Sequence, residues 1–179
     1  MPVYEVFFFP ASELMQKNND ALLPVIDHVS RADGVLEVRY GFAEEDKTTL
    51  YCVIKWETID HHKAMMQRAD YPDLFVKLKP VMAGTPQLFH IEFENDATSA
   101  FDAPTTEITW INLKEGKTKT DVRDVLNKHM GPKIMALPGV VSGSASWNET
   151  VEDSNRFLLV IGWESSKVRT ICLISTIYC

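Results

Sequence analysis

The sequence predicts an α+β protein built from two copies of one strand–helix–strand–strand unit, the second copy incomplete or altered at its C-terminus. Three observations predict it. Short apolar runs rich in aromatic and β-branched residues alternate with stretches of helical periodicity. Leu137-Pro138-Gly139-Val140 answers Ala32-Asp33-Gly34-Val35. Both copies then climb through alternating apolar residues to Trp56-Glu57-Thr58 and Trp163-Glu164-Ser165, 22 and 24 positions beyond their glycines. A repeat that holds its offset to within two residues is a strong sign of a duplicated unit.

The first strand is Val3 to Phe9, stopped by Pro10. A helix follows, with Asn19 or Asp20 as its cap, Pro24 about one turn in, and Leu22, Ile26 and Val29 at helical spacing up to Gly34. Val35 to Tyr40 and Thr49 to Trp56 flank the charged turn Ala43 to Lys47 and read as an antiparallel hairpin. On the second of these strands Leu50, Cys52, Ile54 and Trp56 share one face, Tyr51, Val53 and Lys55 the other. A second helix opens at Thr58 or Asp60, breaks around Tyr71-Pro72 and resumes through Leu74, Leu78 and Val81. Gln87 to Phe93 makes a fourth strand. That order, β-α-β-β-α-β, is the ferredoxin-like arrangement, an antiparallel sheet with helices on one face.

After a linker poor in large apolar residues the pattern restarts with a strand at Ile108 to Leu113. A helix capped by Thr120 and carrying Val122, Val125, Leu126 and Met130 comes next. The expected division is therefore 1–94, a linker at 95–106, and 107–179. Only Ser166 to Cys179 remain after the second tryptophan, against the 35 or so residues the first unit spends there. The apolar, β-branched tail from Thr170 to Cys179 is either a strand that shortcuts the missing helix and strand or the product of a misread gene boundary.

A net charge of -7 and a pI near 5.2 exclude nucleic acid and anionic membrane surfaces as expected partners, because both require a basic stripe. The N-terminus carries no positive segment followed by an apolar core, and no run approaches the ~20 apolar residues that span a bilayer. Three cysteines, Cys52, Cys172 and Cys179, leave an odd thiol and form no close pair. A reducing, cytoplasmic setting is expected. No dinucleotide fingerprint, P-loop, HExxH, CxxC or serine elbow is present, so nucleotide cofactors and structural zinc are not expected.

Pro138-Gly139-Val140-Val141-Ser142-Gly143, its weaker counterpart Gly34-Val35, and Trp56-Glu57-Thr58-Ile59-Asp60-His61-His62-Lys63-Ala64 resemble the dimeric α+β barrel superfamily. Within it they resemble the antibiotic biosynthesis monooxygenase-like proteins, fungal two-unit members in particular. The resemblance runs from about Val3 to about Ser166. It implies that the two units form an α+β barrel, and it implies a monooxygenase or related cyclase that acts without metal or flavin on a small phenolic, quinol or polyketide-type aromatic. The same superfamily holds non-catalytic, stress-linked ligand-binding proteins and haem binders, so a ligand-binding barrel and a haem-binding barrel are the alternative expectations. In its plant cyclases a Tyr-His pair acts, whereas the corresponding strand here offers Leu50 and Tyr51. Two units in one chain can build the barrel as an internal pseudo-dimer, yet a shortened second unit leaves an edge that favours a homodimer.

Cofactor-free oxygenation needs a dry pocket, a base and polar anchors, because the substrate anion itself passes an electron to oxygen. The candidate bases are His62 and His90. Adjacent helical residues point about 100° apart, so His61 and His62 cannot both face one pocket. Either one of them is solvated while the other packs near Met65 and Met66, or His62 reaches the space between helix and sheet. His90 shares its strand face with Leu88 and Glu92, and the opposite face, with Phe89, Ile91 and Phe93, is expected to be the better buried. Tyr51, Trp56, His61 and Tyr71 are the expected substrate-binding residues. Tyr40, Trp110 and Trp147 can join them or simply fill the sheet cores. His28 and His129 lie near helix ends and read as solvated. A haem would take His62 or His90 as its ligand.

Overall fold

The computed structural model describes residues 2–169, and the tail from Thr170 onward lies outside them. The chain divides after Glu92 into two compact units. In the first, β1 (Val3–Pro10) leads through α1 (Glu13–Lys17), a 3-10 turn (Asn19–Leu22) and α2 (Leu23–Ser30) into the hairpin of β2 (Val35–Phe42) and β3 (Thr49–Trp56). Next come α3 (Ile59–Met66), α4 (Tyr71–Leu78) and β4 (Gln87–Ile91). The sheet runs β2-β3-β1-β4 with every pair antiparallel, the ferredoxin-like order.

The first helical segment is more broken than its periodicity suggests. Ser12 caps α1, its hydroxyl accepting from the Met15 N–H at 3.3 Å. Asn18 then leaves helical geometry with φ -146° and caps the 3-10 turn. Pro24 falls in the first turn of α2, where its missing N–H is not needed. The chain thus restarts its helix instead of continuing it. Pro72 opens α4 in the same way.

Alternation along the strands decides what the helices cover. Val3, Phe9, Leu50 and Trp56 are fully buried and pack with Met15, Leu22, Met65 and Leu78 in one core. Each large side chain so buried contributes about 1.5–3 kcal/mol. The other face carries Phe8, stacked between Tyr51 and Phe89 at centroid distances of 4.9 and 6.4 Å. Lys55 sits over the Tyr4 ring there, 5.5 Å from its centroid. Gly34 has φ +78°, and a Cβ on it would lie 2.2 Å from His61 Cγ, so the turn into β2 requires glycine for both backbone and space.

The second unit repeats this as far as it is described. It consists of α5 (Thr98–Phe101), β5 (Thr105–Asn112), α6 (Lys119–Asp124), a π-helical stretch (Val125–Met130), α7 (Gly131–Met135), β6 (Val140–Glu149) and β7 (Arg156–Trp163). Its three strands run β5-β7-β6, matching the order β1-β3-β2. The helix cap is Thr118, not Thr120: Thr118 and Asp121 form a reciprocal capping box. The segment 95–106, read from composition as a linker, holds α5 against β6 and β7. Ser146 Oγ both donates to the Asn95 carbonyl at 2.9 Å and accepts from its N–H at 3.2 Å. Among the described residues no helix is long and apolar enough to cross a membrane.

Candidate active site

The first unit holds a cavity of about 250 Å³ between its sheet and its helices. β1 contributes Glu5 and Phe7, β3 Cys52 and Ile54, β4 Leu88, α3 His62 and Met65, and α4 Tyr71 and Leu74. Tyr40 and Phe75 line it as well and are 40% and 53% exposed, which marks where it opens. Its wall is overwhelmingly hydrocarbon. Glu5 and His62 are buried ionisable side chains on it, and His90, buried as well, lies behind His62 and does not line the cavity; each of the three is no more than 6% exposed.

Three elements assemble that cluster. Glu5 on β1 stands opposite His90 on β4 in the antiparallel register, which places their side chains side by side on the helix-covered face. His62 descends from α3 above them. His62 Nδ1 and His90 Nε2 are 2.7 Å apart, a hydrogen bond in which one ring donates and the other accepts. His62 Nε2 faces Glu5 Oε2 at 3.6 Å, within ion-pair reach and beyond a direct hydrogen bond. Glu5 is itself held by the Trp56 indole, whose Nε1–H donates to Glu5 Oε2 at 2.9 Å.

Burial and the nearby Glu5 charge act together on two other groups. The Cys52 thiol is pushed up to about 12, first by burial and then by Glu5. Tyr71 is raised for the same two reasons in the same order. Both therefore stay protonated at neutral pH and are hydrogen donors to the cavity.

Of the side chains singled out from the sequence, the fold brings His62 and Tyr71 to the cavity wall and sets His90 and Trp56 behind it, bonded to His62 and to Glu5. It sets the other two apart. His61 turns away from the cavity: its Nδ1 is 3.0 Å from Thr58 Oγ1, its Nε2 is 3.6 Å from a Glu57 carboxylate oxygen, and its ring packs under Gly34. Tyr51 lies on the opposite sheet face against Phe8, so it lines no part of this cavity.

Two expectations about histidine environments need correction. His90 is on the helix-covered face of β4 and is buried there, because that face looks into the unit's core. His28 is not solvated: α2 packs on α4, which buries it with Lys77 Nζ 2.9 Å from its Nδ1.

Glu5 escaped sequence reading, because one carboxylate in an apolar strand looks like an outward residue. The second unit supplies the missed signal. Glu107 occupies the same register on β5, and Trp163 Nε1–H donates to Glu107 Oε2 at 3.0 Å, as Trp56 does to Glu5. There, however, Arg169 takes the position of His62 six residues after the tryptophan and donates to Glu107 Oε2 at 3.0 Å. The Glu–Trp pair is thus scaffold common to both units, and among the described residues the histidine pair belongs to the first alone.

Two imidazoles and a carboxylate are also a donor set that first-row transition ions accept, and each side chain brings a ligand atom within 4.8 Å of the others. As placed, the two nitrogens of His62 address different neighbours, His90 and Glu5. These contacts also make the trio a line of proton-handling groups.

Fold and site together define an α+β protein with a buried acid–imidazole line at the wall of an apolar cavity. In fold the chain is similar to a proposed monooxygenase from Fusobacterium nucleatum, with a TM-score of 0.64 at 14% identity over 94% of this chain and 78% of that one. It is likewise similar to a proposed monooxygenase from Lactobacillus acidophilus, with a TM-score of 0.62 at 11% identity over 96% and 81%. Both likenesses extend across the two units, and at such identities they show the fold. No protein-family model and no curated protein sequence matches the chain.

Proposed function

We propose that the protein is a cofactor-independent monooxygenase acting on a small phenolic, quinol or polyketide-type aromatic, with His62 as the base that meets the substrate and His90 as its proton acceptor. The observation that carries this reading is the buried His62–His90 hydrogen bond, whose His62 member lines an otherwise apolar cavity. The His62–His90 pair shares one proton along its hydrogen bond and keeps the capacity to take a second. A substrate hydroxyl or activated C–H gives its proton there, and Glu5 stabilises the imidazolium that forms. The resulting electron-rich anion reduces dioxygen and joins to it as a peroxide. Cleavage of the O–O bond with loss of water leaves one oxygen atom on the ring as a carbonyl. The two electrons and two protons needed for that water come from the substrate. A dry apolar wall protects the anion from quenching by solvent. Tyr71 hydrogen-bonds the substrate oxygen, and Trp56 fixes Glu5.

The fold likeness to two proposed monooxygenases supports this reading. A second reading, a ligand-binding protein without chemistry, draws support from the Glu107–Trp163 pair, which shows that part of the cluster exists for the scaffold. Oxygen uptake by the purified, metal-free protein against hydroquinones, anthrones and methoxyphenols decides between them. The expected result is uptake with one atom from labelled dioxygen in the product, lost in His62→Ala and His90→Ala. Binding without uptake across the panel would establish the second reading. The assembly belongs to the same proposal: exposed Leu36, Phe75 and Val76 favour a homodimer, which light scattering tests directly.

A further inference from the structure

The charge that the buried cluster can reach limits what the cavity can admit. Glu5 is its one fixed charge, and no lysine or arginine lines the cavity among the described residues. His62 and His90 meet nitrogen to nitrogen at 2.7 Å, so a single proton occupies the line between them. Glu5 is therefore the charge that a ligand beside His62 meets. The Glu–Trp–Arg counterpart of the second unit is neutral, because Arg169 brings a cation that does not depend on pH. No such cation lines the cavity of the first unit among the described residues.

A ligand carboxylate beside His62 and Glu5, whose Nε2 and Oε2 are 3.6 Å apart, would bring a second negative charge into low dielectric, whereas a ligand hydroxyl would not.

We propose that this cavity selects ligands that are uncharged until they reach the cluster, hydroxyaromatics rather than aromatic carboxylates, and that Glu5 is the residue that rejects the acids. The selectivity rests on the ligand class proposed above and extends it. Glu5 acts here through its charge on ligand binding, apart from any part in turnover.

Matched probes test this by equilibrium dialysis with the full chain at neutral pH: 2-naphthol, 2-naphthoate and the uncharged 2-naphthamide. The expected order places naphthol at least about tenfold tighter than naphthoate, since a like charge inside a poorly screened site costs at least that much. The amide, with the shape of the acid and none of its charge, is expected to bind close to naphthol. In Glu5→Gln the naphthol-to-naphthoate ratio should collapse towards unity through tighter naphthoate binding. Naphthoate binding as tightly as naphthol overturns the proposal, and so does a ratio unchanged in a folded Glu5→Gln. If that variant fails to fold, the amide carries the test alone: an amide as weak as the acid makes shape the cause and overturns the role of charge. Failure of all three probes to bind removes the cavity as a ligand site and the proposed function with it. Correct selectivity without oxygen uptake leaves the selectivity standing and removes only the oxygenase.

Discussion

Glu5 is the residue on which most of the site depends, since it accepts from Trp56, faces His62 and stands beside His90 on the sheet. Glu5→Ala leaves a buried indole N–H without its acceptor and should cost about 2–3 kcal/mol in urea denaturation. Trp56→Phe removes the donor, and the double variant should lose less than the sum of the two, because each single change already breaks the same bond. An additive result would mean that the hydrogen bond carries no coupling. At this scale the sequence showed the histidines and aromatics as residue types but not their company. His62 and His90 are 28 positions apart, and only the pairing of β1 with β4 brings Glu5 beside His90. Tyr51 and His61 illustrate the converse. Both have suitable chemistry, and side-chain direction takes both out of the cavity.

Among the elements, the β2–β3 hairpin is fixed by its turn. Asp46 accepts from the backbone N–H groups of Thr48 and Thr49, at 2.8 Å each, and from the Thr49 hydroxyl at 2.6 Å. These bonds lower its carboxyl from 3.8 to about 2, the Thr49 hydroxyl contributing most. A depressed folded-state value means that the stabilisation is present above the unfolded value and is lost as pH falls through the folded one. Asp46→Ala should therefore cost about 1 kcal/mol at neutral pH, kept small by solvent exposure. The difference from the parent should fade as pH drops from 3.8 towards about 2, which chemical denaturation across that range can follow. A cost that persists unchanged at the acid end would assign the effect to turn geometry. The strands and the hairpin were legible in the sequence because alternation and turn residues are local. The breaks after α1 and before α2 were not, since the apolar spacing of Leu22, Ile26 and Val29 runs on past the cap that Asn18 supplies.

The molecule as a whole carries one device in two versions, a buried glutamate bonded to a tryptophan in each unit. In the second version Arg169 neutralises Glu107. Arg169→Gln should destabilise the protein by about 1–3 kcal/mol in thermal or urea unfolding, because it leaves that carboxylate partly buried without its cation. The cavity is lined entirely by residues of the first unit, so naphthol binding should not change. A change in binding with no loss of stability would show instead that the second unit tunes the first.

What the sequence by itself determined is the duplicated α+β architecture and the side-chain types available for chemistry, because periodicity, turn residues and a repeated Gly-to-Trp spacing are properties of neighbouring positions. Only the tertiary structure decided which of those side chains form a site. Strand register set Glu5 beside His90, and the descent of α3 onto the sheet brought His62 to both, with all three side chains buried. Contacts between residues far apart in the chain, and the loss of water around them, leave no local pattern to read.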